Sequence, residues 1–249
     1  MEQRPIWQLI SPNQREYPPM SGDLEAGITV IGGGIAGLTT ALQLARAGCE
    51  VVLLEANRVG SGASGANTGK MTVQHGAIYR MLAQKNGLSA AMDYHKQNRA
   101  AMDFAERAAA EAGTGSKILE TRTAALYATS EQGAQILREE WAVYGQMRIE
   151  GRLKKGQEGL PDAVCSLEMD GQLAIDPAKY VQALVKLCEK AGVRIFEKSR
   201  AIEFKTGRKI SVSVENGGEI RTGTLILCTH YPVFRRGGLM VMRLEPSRK

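Results

Sequence analysis

The chain has 249 residues, a formal net charge of +6 and 43% hydrophobic residues, enough for one large domain or two small ones with a sizeable core. Aromatic residues make up only 5% and the basic excess is scattered, which argues against a stacking platform for single-stranded nucleic acid or a phosphate-binding stripe. Cys49, Cys165, Cys188 and Cys228 stand far apart, and neither a signal-peptide core nor ~18 consecutive apolar residues occurs, so a reduced cytoplasmic protein without nucleic-acid or membrane partners is expected.

Residues 1–25 read as an extended arm, because Pro5, Pro12, Pro18 and Pro19 prevent a long helix. Order is expected from Ile28-Thr29-Val30-Ile31, a buried strand closed by Gly32. Ile35, Leu38, Leu42 and Ala45 then recur at helical spacing, and Gly48 stands where a glycine ends a helix. Val51-Val52-Leu53-Leu54 is continuously apolar, as a parallel strand covered on both faces must be. Strand, helix and strand make a βαβ unit. A second glycine-rich stretch, Gly60 to Gly69, follows.

Helices are expected over Val73–Gln84 and Ser89–Ala112, the second with Met92, His95, Arg99, Met102, Ala105 and Ala109 on one face. Leu119–Thr129 reads as one or two strands, Glu131–Met147 as a helix and Gly151–Gly171 as loop-rich. Asp176-Pro177 is an N-cap and N1 pair opening a helix that Gly192 ends. A short strand at Arg194–Phe196 leads to a three-stranded meander over Arg200–Lys205, Lys209–Glu215 and Glu219–Gly223. Its turns are Thr206-Gly207 and Asn216-Gly217. Leu225–Cys228 reads as a further buried strand.

Gly32-Gly33-Gly34-Ile35-Ala36-Gly37 is a G-x-G-x-x-G between a strand and a helix. Gly32 permits the tight turn, Gly34 lets the backbone approach a pyrophosphate, and Gly37 lets helix and strand pack closely. The helix N-terminus offers free N–H groups and a positive dipole. Glu55 ends the second strand, where an acid accepts hydrogen bonds from ribose hydroxyls and disfavours a 2′-phosphate. The second glycine loop and the meander favour FAD over NAD, since an ordinary NAD domain continues with alternating strands and helices.

These residues carry a family resemblance. Val30 to Thr40, with Leu53 to Gly62, is similar to the FAD-dependent oxidoreductases of the D-amino-acid oxidase and glycine oxidase type. Asn67 to Gly76, the Trp7 arm and Thr229-His230-Tyr231-Pro232 resemble the subgroup that carries a Rieske iron–sulfur domain after the flavoprotein part. The resemblance implies an α/β fold: a Rossmann-like FAD-binding domain with a β-meander, interrupted by an α+β substrate or cap domain. The FAD domain would take residues 26–76 and 173–234, the cap domain 77–172, and a basic tail 235–249 would follow. Gly32, Gly34, Ile35, Ala36 and Gly37 would meet the pyrophosphate, Glu55 the ribose, and Arg58 would lie beside the adenosine. Ser61, Ala63, Ser64 and Thr68 would line the path to the flavin, Ala201 would meet adenine, and Cys228 and Thr229 would end the strand returning under the cofactor.

The implied reaction is hydride removal from the C–N bond of a small-molecule amine or amino acid. The alternatives are an NAD-binding dehydrogenase fragment and a non-catalytic nucleotide-binding remnant. Members of the family run further, so the cap domain is expected to be incomplete and the chain to be a fragment or to need a partner chain. No metal site is expected, because Cys228-Thr229-His230 lacks the second Cys and His pair of a Rieske centre. Lys70 and His75, just past the glycine loop, are the weak candidates for catalysis. His95 reads as a core-edge residue.

Overall fold

The computed structural model describes Ile6, Trp7, 15–215 and 217–230. Tyr231, Pro232, the tail 235–249 and Asn216 lie outside the described residues. The chain forms two compact units: Met1–Thr68 with Asp176–Lys249, and Gly69–Ile175.

The first unit contains β1 (Leu24–Ile31), α1 (Ile35–Arg46), β2 (Val51–Leu54) and a 3-10 turn (Ala63–Gly65). Its remaining elements follow the excursion into the second unit. Those of the second unit are β3 (Lys70–Met71), α2 (Ile78–Asn86), α3 (Leu88–Glu111), α4 (Gly115–Ile118), β4 (Leu119–Ala128), α5 (Glu131–Met147), β5 (Arg152–Gln157) and β6 (Leu160–Ile175). The chain then completes the first unit with α6 (Pro177–Lys190), β7 (Arg194–Phe196), β8 (Ala201–Lys205), β9 (Ile210–Val214) and β10 (Gly218–Leu227).

The first unit is built on a mixed six-stranded sheet in the order β7-β2-β1-β10-β9-β8. The first four strands are parallel, and β8, β9 and β10 form the antiparallel meander. Side chains alternate across a strand. Val52 and Leu54 join one buried cluster with Ile31, Val212 and Ile220, while Val51 and Leu53, of opposite parity, are also fully buried. Both faces of β2 are therefore covered, as its unbroken apolar run requires. α1 packs against α6, which starts where the Asp176 carboxylate accepts the Lys179 N–H at 3.0 Å.

Two expectations change here. The arm gives way to strand at Leu24, ahead of Ile28. Glu219–Gly223 and Leu225–Cys228 are one strand, β10, that ends at Leu227 and stays in register with β1 from Ile220 to Leu227. Gly223 does not break it, because Gly27 lies opposite and two glycines let the backbones run close. The last residues of β10 are half-buried to exposed rather than buried.

In the second unit β6 is the central strand of an antiparallel sheet, flanked by β4 along its length and by β3 and β5 at its two ends. Gly151–Gly171 is thus a β-hairpin and not loop-rich. A two-residue turn, Glu158-Gly159, joins its strands, with Gly159 at φ 75°. Glu168 pairs across the strands with Arg152 at 3.1 Å and Lys154 at 2.6 Å.

Helix α2 begins at Ile78, not Val73. The Gln172 side-chain oxygen accepts the Thr72 hydroxyl at 2.8 Å and the Val73 N–H at 2.9 Å, which ties residues 72–73 to β6. In α3 Ala91, Met102, Ala105, Ala108 and Ala109 are buried, whereas Met92 is exposed. The core of this unit centres on Tyr79, Tyr144, Met102 and Leu167, with the Tyr79 and Tyr144 rings edge to face at 5.6 Å.

Ala77 gives α2 no side-chain cap. Glu140 of α5, fully buried, supplies one: its two oxygens accept the N–H groups of Tyr79 at 3.1 Å and Arg80 at 2.6 Å. Burial pushes this carboxyl above its ordinary value, and the two N–H bonds and the Arg80 charge pull the other way. A folded-state value above the unfolded one means that stability is fully present at low pH and is lost as pH rises through the folded-state value. Glu140→Gln cannot ionise. In urea melts from about pH 4 to about pH 8, the stability of wild type relative to this variant is expected to be flat at the acid end and then fall. A difference that stays constant throughout would refute the effect.

Candidate functional site

The parallel strands β2, β1 and β10 end side by side. The Gly32 N–H donates to Leu54 O at 2.8 Å, and the Cys228 N–H donates to Ile31 O at 2.8 Å. From β1 the chain crosses through α1 to β2 on one side, while β10 lies on the other. Such a switch of direction leaves a crevice beyond the carboxyl ends of the strands. A cavity of about 660 Å³ opens there.

Gly32, Gly34, Ala36, Glu55, Ser61, Ala63, Ser64, Ala201, Cys228 and Thr229 all line this cavity. Gly32 is at φ 112°, a conformation that favours glycine, and a Cβ there would stand 2.6 Å from Cys228 O. A Cβ on Gly34 would stand 2.7 Å from Ser64 Oγ, and one on Gly37 only 1.8 Å from Gly32 O. The glycines thus serve two different contacts, Gly34 at the cavity wall and Gly37 at the crossing of α1 with the end of β1.

The Ile35 N–H donates to Ser64 Oγ at 2.9 Å, so the second glycine loop caps α1. The remaining N–H groups of the first turn have no partner within a helix. No acidic residue stands in that turn, and Arg46 occupies the last one. The positive end of the helix dipole is left for an anion. Glu55 is held at both oxygens, by the Gly33 N–H at 2.7 Å and the Asn57 N–H at 2.8 Å. Each carboxylate oxygen has a second lone pair for a hydroxyl donor. A diphosphate beside a ribose fits this donor and acceptor set, and the cavity is of the size that holds a cofactor.

The other expected residues sit elsewhere. Ile35 and Gly37 stand behind the wall, the first through its N–H and the second buried under Gly32. Arg58 pairs with Glu197 at 2.8 Å and with Glu16, and donates to Arg15 O at 3.3 Å. Thr68 is exposed at the end of its segment of the first unit. Asn57, Gly60, Gly62, Arg200, Leu227 and His230 also line the cavity. Sequence reasoning missed them, although each lies within two residues of one it named.

Lys70 and His75 belong to the second unit. Lys70 is exposed on β3, in register with Ala174 of β6. His75 Nδ1 lies 2.9 Å from Tyr94 Oη, and desolvation followed by the Lys70 charge holds the ring's pKa below its ordinary value. His95 is half-buried, with Nδ1 3.0 Å from Tyr79 Oη. All four cysteines are free thiols. Among the described residues no three His, Cys, Asp or Glu side chains converge as metal ligands, and no helix is long and apolar enough to cross a membrane.

Residues 27–248 match the family described as DAO, FAD dependent oxidoreductase. YhfW of Bacillus subtilis, which bears the name of a Rieske 2Fe-2S iron–sulfur protein, is 32% identical over 93% of this chain and 45% of its own length. Gamma-glutamylputrescine oxidoreductase of Escherichia coli is 36% identical over 30% of this chain and 18% of its own length. Among solved structures, glycine oxidase from Geobacillus kaustophilus superposes with a TM-score of 0.68 at 18% identity, covering 83% of this chain and 55% of that one. L-amino acid deaminase from Proteus vulgaris also gives 0.68 at 18% identity, covering 86% and 50%. The chain spans about half the length of these structures and less than half of YhfW. With its family match extending over most of its residues, the chain belongs to the DAO family of FAD-dependent oxidoreductases.

Proposed function

We propose that this chain binds FAD in the cavity of the first unit and serves an oxidoreductase that acts on the C–N bond of an amine or amino acid. The observation that carries the FAD reading is the meeting, around one cavity, of the glycine turn, the second glycine loop, Glu55 and the end of β10. The substrate class is taken from proteins of similar fold named for glycine, L-amino acids and L-proline. When bound, the flavin supplies the hydride acceptor, which no side chain can provide.

The chain's own residues bind and orient. The first-turn N–H groups of α1 hold the pyrophosphate with no competing carboxylate beside them. Glu55 accepts from the ribose hydroxyls. Ser61, Ala63 and Ser64 form the wall along which the cofactor extends, and Ala201 closes the adenine end. An acid at position 55 rejects a 2′-phosphate. The reading puts the protein in the cytoplasm, where four free thiols stay reduced.

A visible spectrum of the purified, FAD-reconstituted protein, followed by anaerobic titration with a panel of amines and amino acids, tests both parts. Flavin absorption is expected, with bleaching by at least one member of the panel. Absence of bound flavin would sink the reading. Glu55→Ala is expected to weaken FAD binding by about 1–3 kcal/mol, the worth of hydrogen bonds to a charged group. An unchanged fluorescence titration would mean that the ribose is held elsewhere.

A further inference from the structure

Glu197 follows β7 directly and is 1% exposed, although it carries a carboxylate. One oxygen accepts the Val59 N–H at 2.7 Å. The other accepts the Tyr17 N–H at 3.1 Å and faces Arg58 Nε at 2.8 Å. Around it the main chain of 196–199 is laced to the turn that follows β2. The Glu55 N–H donates to Phe196 O at 2.9 Å, the Lys198 N–H to Asn57 O at 2.9 Å, and the Ser199 N–H to Glu55 O at 2.8 Å. Ser199 Oγ accepts the Met20 N–H at 2.8 Å and donates to Glu197 O at 2.7 Å.

The main-chain bonds hold the near end of the turn, at Glu55 and Asn57. Its far end, at Arg58 and Val59, is gripped by the Glu197 side chain. Burying a carboxylate is costly unless it is hydrogen-bonded and a cation is close; here each oxygen accepts a main-chain N–H and the Arg58 guanidinium stands beside one of them. Removing it would leave the Val59 N–H without this acceptor and take one partner each from Arg58, which keeps Glu16 and Arg15 O, and from the Tyr17 N–H. The turn would keep its main-chain bonds at Glu55 and Asn57 and the Gly60 N–H bond to Gly33 O at 2.9 Å, but Asn57, whose N–H aims one Glu55 oxygen while the Gly33 N–H aims the other, would lose the fixed backbone of Arg58 and Val59 beside it.

We infer that Glu197 is a positioning residue for the nucleotide subsite: it sets the Glu55–Val59 turn and thereby aims the Glu55 carboxylate at the ribose hydroxyls. This inference rests on the FAD reading above. Glu197 is not among the residues lining the cavity, so its effect on binding runs through the turn.

The experiment compares ADP with 2′-deoxy-ADP, by calorimetry on the full chain, in wild type and in Glu197→Gln. Wild type is expected to favour ADP by about tenfold, one hydrogen bond to a charged group. Glu197→Gln keeps the shape but turns an amide N–H₂ towards donors. It is expected to lose on the order of tenfold in ADP affinity, with the preference between the two ligands falling towards unity. A merely structural role would weaken both ligands alike, and an unchanged preference overturns the inference. Should Glu197→Gln not fold, Arg58→Gln carries the test, since it leaves the carboxylate but removes its cation. Reduced preference supports the inference and a wild-type preference overturns it. Wild-type protein that binds neither FAD nor ADP sinks the FAD reading itself. Wild type that binds both without favouring the 2′-hydroxyl overturns the assignment of Glu55 to the ribose, and this inference with it.

Discussion

Gly34→Val is expected to abolish FAD binding while the protein still folds. Gly34 is the N-cap of α1, at φ −86° and ψ −176°, extended backbone that valine adopts without strain. Among the described residues the added Cβ meets no backbone. Its only close neighbour is Ser64 Oγ, at 2.7 Å, the end of a side chain that can rotate. Rotation breaks the Ser64 hydrogen bond to the Ile35 N–H, and the loss of a helix cap is worth about 1 kcal/mol. The effect on binding is far larger. The valine methyl groups occupy the wall where a pyrophosphate must come within hydrogen-bond distance of backbone N–H groups. Losing two such bonds, at about 1.5–3 kcal/mol each, weakens binding by at least on the order of a hundredfold. Flavin fluorescence titration and a thermal melt read the two effects separately. A variant with wild-type FAD affinity would remove this cavity as the cofactor site.

What the sequence made legible is the part in which single residues dictate backbone geometry. The turn at Gly32, the helix after it, the unbroken apolar β2, the Asp176 cap and the meander all rest on short-range rules, and the structure contains each of them. The hairpin of β5 and β6 was hidden because its pairing is non-local. Arg152 and Lys154 look like loop residues until Glu168 lies across from them on β6. The start of α2 is illegible in the sequence for a similar reason. Nothing near Val73 announces that Gln172 will bind it. At the site, Gly32, Gly34, Gly37 and Glu55 could be named from motif and spacing, whereas Ser61, Ala63 and Ser64 of the second glycine loop rested on the family resemblance. Arg200 and His230 reach the cavity only through the sheet order. The partner of Arg58, Glu197, is remote in sequence and brought close because β7 pairs with β2.

Gly37→Ala separates the two roles of the glycine motif, because its cost is expected to fall on the fold. A single methyl at this position would stand 1.8 Å from Gly32 O and 3.0 Å from Gly32 C, both backbone atoms. Gly32 cannot yield. Its N–H is bonded to Leu54 O, and the neighbouring Ile31 O is bonded to the Cys228 N–H, so the residue is clamped between two strands. A third neighbour, Cys228 Cβ at 3.4 Å, leaves little room sideways. The helix itself must therefore move off the sheet. Leu38 and Leu42, both fully buried, move with it, and so does Cys188 of α6, whose thiol donates to Leu38 O at 3.4 Å. Overpacking of this kind costs about 1–3 kcal/mol where side chains can adjust. With the Gly32 backbone as the obstacle the expected loss is at the upper end or beyond it, about 3 kcal/mol or more. Urea denaturation should show a clear drop in midpoint, and FAD affinity should fall with it, because the α1 N-terminus is displaced from the cavity. By contrast, the nearest atoms to a Cβ on Gly33 belong to the side chains of Glu55 and Val59, at 3.0–3.2 Å, so a smaller adjustment is needed there. An alanine variant at position 37 with the wild-type midpoint would mean that α1 and β1 do not cross at this glycine.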